Sequence, residues 1–361
     1  MKILFIGAAT SNHTIRWVNA LVENGHDVLL VSRSDQRDNV GHISKQVKII
    51  YLKYCGGIGY YLNVPQLKRI YKEYSPDVVN AHYATGYGTL ARLAKCKPLV
   101  ISVWGSDVYD FPFKSNKNRR LICKNLNYCD AIASTSFAMA EQTKKILNNF
   151  NKNITVTPFG VDINKFKKTN YTKNDIFTIG IVKYLEPIYD IPLLINAFYI
   201  VQKQVNIKLQ LSIYGDGSLK DELVLLCEKL NISDKVIFNG TIPNYDIPAA
   251  LQKFDIFVNC SKQESFGVAI VEAMACELPI VATPCEGFKE VVVDGVTGII
   301  LEDRKPETMA NKLIELINDE EKRYTYGKNA RTRVEEFYDW HKNVYTMIDL
   351  YEKVSSEKGF N

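Results

Sequence analysis

Two doubly wound α/β domains, each a parallel sheet covered on both faces by helices, are predicted by three features of this sequence. Short β-branched apolar runs alternate with amphipathic stretches along most of the 361 residues. The runs fall into two series, separated by a polar, basic, aperiodic segment at Lys165–Asp175. From about Lys305 onward the pattern is almost wholly helical. Strands that alternate with helices mean parallel sheets buried on both faces.

The first series opens at Lys2–Gly7. That apolar run is too short for a secretory leader and lacks a small-residue cleavage site, so it reads as a buried first strand. Small polar residues, Gly7 to Thr14, then lead into an amphipathic helix at Thr14–Asn24. Further strands are expected at Asp27–Ser32, Val47–Tyr51, Asp77–Ala81, Pro98–Val103, Asp130–Ser134 and Ile154–Pro158, with a helix at Gln66–Tyr74. The second series comprises Phe177–Lys183, Lys208–Tyr214, Lys235–Asn239, Asp255–Asn259, Pro279–Ala282 and Gly298–Leu301, with helices at Pro192–Gln204 and Asp221–Leu230. The expected domains are therefore 1–165 and 176–335, with a last helix at 336–361 packing back toward the first. Ligands of such folds bind beyond the carboxyl ends of the strands, and two domains facing each other form a cleft.

Composition narrows the function classes. A chain that is 46% hydrophobic and 24% charged is globular, with sizeable cores. Its eight cysteines show no two-residue gap of a zinc or thioredoxin-type site, and several sit in apolar runs as small hydrophobes. No apolar run approaches the roughly 18 residues of a membrane span, so the expected location is cytoplasmic. A net charge of +5 is too small to imply nucleic acid, and it allows contact with an anionic inner membrane face. The basic segment Phe113–Lys124, with Lys114, Lys117, Arg119, Arg120 and Lys124, reads either as a solvated face or as such a contact.

The most informative stretch runs from Cys260 to Ala275. The strand Asp255–Asn259 leads into a polar loop, and a helix starts near Phe266–Gly267. Free N–H groups and the positive end of the dipole suit a helix start to phosphate, and a glycine lets the ligand approach the backbone. Glu264 and Glu272 flank that start. If the segment is mostly helical, their eight-residue separation puts them roughly 12 Å apart, about the span of a diphosphate with a sugar at each end. Carboxylates accept from vicinal hydroxyls, so one can hold a ribose and the other the transferred sugar. Two solvated glutamates on a core-facing helix are the plainer alternative, which leaves the Ser265-Phe266-Gly267 turn unexplained.

Glu264 to Glu272 resembles the E-x7-E signature of family 4 retaining glycosyltransferases (glycosyltransferase group 1), which have the GT-B fold. Phe159-Gly160-Val161-Asp162 resembles the family's N-G-V-D segment at the domain junction, with Phe159 for Asn. Tyr214-Gly215-Asp216-Gly217 is similar to its G-x-G loop, Phe238-Asn239-Gly240 to its F-x-G turn, and Pro279 to Thr283 with Glu290 to the stretch that follows. The likeness covers most of the chain and is strongest over 176–302. It implies a retaining transfer of a sugar from a nucleotide-sugar, UDP- or GDP-linked, to a glycan, lipid-linked or small-molecule acceptor. Cell-surface polysaccharide or lipid-linked glycan synthesis is the expected setting. The nucleotide-sugar is a co-substrate, and no cofactor is expected.

By the same resemblance Glu264 holds hydroxyls of the donor sugar and Glu272 those of the ribose. Backbone N–H groups of Phe266, Gly267 and Val268 meet the sugar and diphosphate, and Ser265 and Gly215 complete the donor-binding set. The family places two cations five residues apart in the loop after the first strand of this domain. Here Lys183 takes the first position, as a point charge without an arginine's fork, and Ile188 takes the second. A diphosphate leaving group needs its charge stabilised; Arg304 or a nearby lysine is the candidate replacement. No Asp-x-Asp motif occurs, so metal independence is expected.

The first domain is expected to bind the acceptor. Ser11, Asn12 and His13 lie in the loop after the first strand, with His13 either touching ligand or capping the helix. His82 ends a strand. Trp104 stands in Trp104-Gly105-Ser106-Asp107 where the family often has His, and reads equally as a sugar-stacking ring or a core ring. Asp107 keeps the family residue and is the expected catalytic carboxylate there. A dinucleotide-binding reading of Gly86-Tyr87-Gly88-Thr89-Leu90-Ala91 fails on context, because four residues, His82 to Thr85, separate it from its strand. An epimerase, a phosphorylase or a catalytically weak nucleotide-sugar-binding protein on the same architecture are the remaining alternatives.

Overall fold

The computed structural model describes residues 1–37, 41–169, 175–264 and 266–357. The chain divides into two compact units, Met1–Pro158 with His341–Asn361, and Phe159–Trp340. The change of unit falls at Pro158–Phe159, ahead of the basic segment 165–175, of which 170–174 lie outside the described residues.

The first unit holds a seven-stranded sheet of β1 (Lys2–Ile6), β2 (Asp27–Arg33), β3 (Lys48–Leu52), β4 (Val78–His82), β5 (Leu99–Val103), β6 (Ala131–Ser134) and β7 (Ile154–Val156). Their order is β3-β2-β1-β4-β5-β6-β7. Pairing is parallel, with Ile3 opposite Val28 on one side and Val78 on the other. Ile3, Leu4, Phe5 and Ile6 are all fully buried, the unbroken apolar signature of a strand covered on both faces. The chain winds outward from β1 and then returns to start again at β4, so the crevice beyond β1 and β4 is the switch point where such sheets take ligands. From the last helix, Trp340–Ser356, the residues Val344, Met347 and Tyr351 are buried, and Asn343 Nδ2 donates to the Pro158 carbonyl at 3.2 Å.

The second unit holds a six-stranded parallel sheet of β8 (Phe177–Val182), β9 (Leu209–Tyr214), β10 (Val236–Phe238), β11 (Ile256–Asn259), β12 (Ile280–Ala282) and β13 (Gly298–Ile300). The order β10-β9-β8-β11-β12-β13 puts its switch point between β8 and β11. Helices Ile191–Gln204 and Pro306–Asn318 bury Leu194, Phe198, Met309 and Leu313 against the sheet. The unit's first and last segments lie side by side: Val161 N–H donates to the Tyr338 carbonyl at 2.8 Å, and Trp340 N–H to that of Val161 at 3.0 Å.

Two doubly wound units and a helical region after Lys305 are the predicted architecture; that region forms three helices. The helix after β1 begins earlier than expected, at Asn12–Glu23. A short helix at Gly56–Leu62 was not predicted from its glycines. Gly86 is itself the first residue of a helix, Gly86–Leu93, and a side chain there would collide with the Tyr60 ring. The space beside Gly86 is thus filled by that ring. Among the described residues no helix is long and apolar enough to cross a membrane. All eight cysteines are free, six of them buried.

Candidate functional site

In the second unit the two loops at the switch point are fastened to each other. Lys183 follows β8, and its Nζ lies 2.5 Å from Glu264 Oε2, which follows β11. Both side chains are largely buried, and the Lys183 ammonium also sits over the Tyr189 ring at 4.6 Å. The Lys262 N–H donates to the Ile188 carbonyl at 2.7 Å, and the Cys260 thiol to that of Tyr189 at 3.2 Å. Arg304, after β13, clamps the same place: it donates to the Ser261 carbonyl at 2.7 Å, the Cys260 carbonyl at 2.8 Å and Asp190 Oδ2 at 2.5 Å. Lys262 Nζ stands 3.9 Å from Asp190 Oδ1.

The glycines of the loop after β9 explain how Lys183 is held. Gly215 has φ +142°, and a side chain there would collide with the Lys183 carbonyl; one at Gly217 would press on the backbone of Leu185. The close approach lets Lys183 N–H donate to the Tyr214 carbonyl at 2.9 Å and Leu185 N–H to that of Asp216 at 3.0 Å. Gly215 thus acts by placing the lysine loop.

The helix after β11 spans Val268–Ala275, with Gly267 as its cap at φ +100°. That left-handed conformation favours glycine, and a side chain would also meet the Phe288 ring at 3.0 Å. Val268 lies in the first turn, where N–H groups lack intrahelical partners. Phe266 is a core residue, buried against Phe159 and Tyr338. Its expected contribution is its backbone, and its side chain fixes the helix start. Glu272 lies on the helix, half-buried. Glu264 lies in the loop before it, so the interval is not continuous helix and the 12 Å estimate from helical rise does not apply. Ser265 falls outside the described residues.

The switch point of the first unit gathers most of its predicted residues. Ser11 is the cap of the helix Asn12–Glu23 and Asn12 is exposed in its first turn. The rings of His13 and Trp104 lie 5.0 Å apart, those of His82 and Trp104 4.3 Å, and those of Tyr83 and Trp104 6.2 Å. Trp104 is buried among these rings, the core-packing alternative and not the sugar-stacking one. Asp107 is buried with both oxygens engaged: Oδ2 accepts from Ala84 N–H at 2.9 Å, and Oδ1 from Trp104 and Gly105 N–H at 3.0 and 2.9 Å. Burial pushes its carboxyl pKa up while these bonds oppose the shift. Asp107 therefore splices the loops after β4 and β5.

Burial, and secondarily Arg16, lowers the His13 pKa from 6.5 to about 4. Burial, with His13 next, holds His82 well below its usual value. Both rings are neutral at pH 7. A basic group whose pKa is depressed on folding contributes stability that is present above its unfolded value and lost as pH falls through the folded one. Folding stability is expected to drop by roughly 3 kcal/mol from pH 6.5 to 4 through His13 alone. Denaturant unfolding at both ends of that range checks it, and His13→Gln should flatten the slope.

Lys262 and Asp190 are the residues that sequence reasoning passed over; the signal available was a lysine two places before Glu264. Among the described residues no three metal-binding side chains cluster.

Comparison with known proteins places these features in context. Residues 162–333 match the family described as Glycosyl transferases group 1, and residues 2–136 match Glycosyl transferase 4-like. N-acetyl-alpha-D-glucosaminyl L-malate synthase of Bacillus anthracis is 26% identical over 294 residues, 77% of this chain and 75% of that one. A capsular polysaccharide biosynthesis glycosyltransferase of Staphylococcus aureus is 31% identical over 209 residues, 55% of this chain and 50% of that one. Among solved structures, an Anabaena protein crystallised with UDP superposes with a TM-score of 0.80 at 20% identity, over 98% of this chain and 100% of that one.

Proposed function

This chain belongs to the group 1 glycosyltransferases and is a glycosyltransferase of GT-B fold, and from that premise we propose that it is a retaining, metal-independent enzyme using a UDP- or GDP-linked donor in cell-surface polysaccharide or lipid-linked glycan synthesis. The observation that carries the reading is the Lys183–Glu264 pair at the switch point of the second sheet, beside a glycine-opened helix start. Lys183 meets the diphosphate as its charge develops, and the helix N–H groups take up more of that charge. Glu264 holds the donor sugar, and Glu272, on the helix, the ribose. The family's E-x7-E spacing supports retention, and the alpha linkage in the name of the Bacillus anthracis relative accords with it. The name of the capsular polysaccharide relative supports the setting.

The test is to give chelator-treated protein UDP- and GDP-sugars and follow the anomeric proton by NMR before mutarotation. Release of the nucleoside diphosphate with the donor's anomeric configuration kept, at a rate unchanged by added divalent metal, is the expected result. Inversion or a strict metal requirement would contradict it. An epimerase would change the sugar without releasing the diphosphate.

Membrane contact belongs to the same proposal. The helix Asn116–Tyr128 carries Asn116, Arg119, Arg120, Cys123, Lys124 and Asn127 on one face by helical spacing. With Arg92 and Tyr128 they line a groove of about 850 Å³ that has no carboxylate in its wall. Phe113, just upstream, is exposed. A lysine or arginine near an anionic surface contributes about 1 kcal/mol. Sedimentation with phosphatidylglycerol vesicles, and not with phosphatidylcholine ones, is expected. Arg120→Glu with Lys124→Glu should reduce it at least tenfold.

A further inference from the structure

We propose that Lys262 supplies the second positive charge to the donor's diphosphate, reaching the place where Ile188 leaves none from the loop on the neighbouring strand. The inference rests on the donor-site reading above and concerns how that site neutralises its leaving group.

Charge alone shows that Lys183 is insufficient. Its ammonium is already matched by Glu264 at 2.5 Å, so that pair brings no net charge to an incoming diphosphate. The surrounding cluster adds one carboxylate, Asp190, and two cations, Arg304 and Lys262. Three cations therefore face two carboxylates, and the surplus is one positive charge. Arg304 is committed: its guanidinium donates to two backbone carbonyls and to Asp190, and removing it would leave the Cys260 and Ser261 carbonyls without those bonds. Lys262 is not committed in this way. Its side chain is 52% exposed, and its ion pair with Asp190 is long, 3.9 Å. Among the described residues it is the member of the cluster with length and freedom to turn toward a ligand.

Its placement is fixed by the backbone. Lys262 N–H donates to the Ile188 carbonyl at 2.7 Å, which sets the lysine's main chain directly against the position that lacks a cation. Lys262 also lies two residues before Glu264 in the same loop, and Glu264 pairs with Lys183. A flexible ammonium suits phosphate as a point charge. Asp190, pinned by Arg304, then serves as the resting counter-ion that Lys262 leaves when diphosphate arrives.

The test compares Lys262→Met and Lys262→Arg with the unaltered protein by calorimetric titration of UDP, UMP, GDP and GMP. Lys262→Met should weaken binding of the preferred nucleoside diphosphate about tenfold, or about 1.4 kcal/mol. It should leave the matching monophosphate within about twofold, because the lost contact is to the terminal phosphate. Lys262→Arg should recover most of the loss, and the same order should appear in kcat/KM. Unchanged diphosphate affinity in Lys262→Met would overturn the inference while leaving the donor-site reading intact, and so would an equal loss for mono- and diphosphate. If the unaltered protein bound neither diphosphate, the donor-site reading would fall and this inference with it.

Discussion

Replacing Lys183 by methionine is expected to lower kcat by about a hundred- to a thousandfold, the cost of removing one preorganised charge donor from a developing anion. The substitution keeps an unbranched stem of similar length and removes the ammonium, with its contacts to Glu264 and the Tyr189 ring. It also leaves Glu264 without its partner at 2.5 Å. Donor affinity should fall less than turnover, because leaving-group charge is greatest in the transition state. Single-turnover measurements separate the two. A matched loss in Kd and no change in the chemical step would mean that Lys183 binds ground state and transition state alike.

The second large effect divides the two glutamates. Glu272→Ala is expected to raise the donor Kd by about ten- to a hundredfold, since charge-assisted hydrogen bonds contribute about 1.5–3 kcal/mol and a ribose offers two hydroxyls. Its effect on kcat at saturating donor should be small. Glu264→Ala should do the reverse, lowering kcat with a modest change in Kd. Nucleoside diphosphate alone, which lacks the transferred sugar, sharpens the contrast: its affinity should fall in Glu272→Ala and not in Glu264→Ala. Equal and negligible effects of both would remove the assignment.

Much of this was legible in the sequence because the relevant physics is local. An unbroken run such as Ile3–Ile6 has one good solution, a strand covered on both faces, and the structure buries all four residues. Gly267 marks the helix start in the sequence, and the helix spans Val268–Ala275 directly after it. What was not legible depended on partners distant in the chain. That Asp107 ties two loops together depends on Ala84 N–H, 23 residues away. Trp104 offers a flat ring to a sugar in sequence, and in space that ring is packed among His13, His82 and Tyr83. Lys262 acquires meaning only from the Ile188 carbonyl, on the loop of another strand. The separation of Glu264 and Glu272 does not follow from helical rise, because the helix begins at Val268 and not at Glu264.

The central claim is that the second unit binds a nucleotide-sugar at the Glu264–Glu272 segment, and a thermal-shift titration of UDP- and GDP-sugars in chelator tests it most directly. One of these donors at 100 times its Kd should stabilise the protein by about 2.7 kcal/mol, and that shift should be largely lost in Glu272→Ala. No stabilisation by either donor class, or an equal shift in the unaltered protein and in Glu272→Ala, would contradict it.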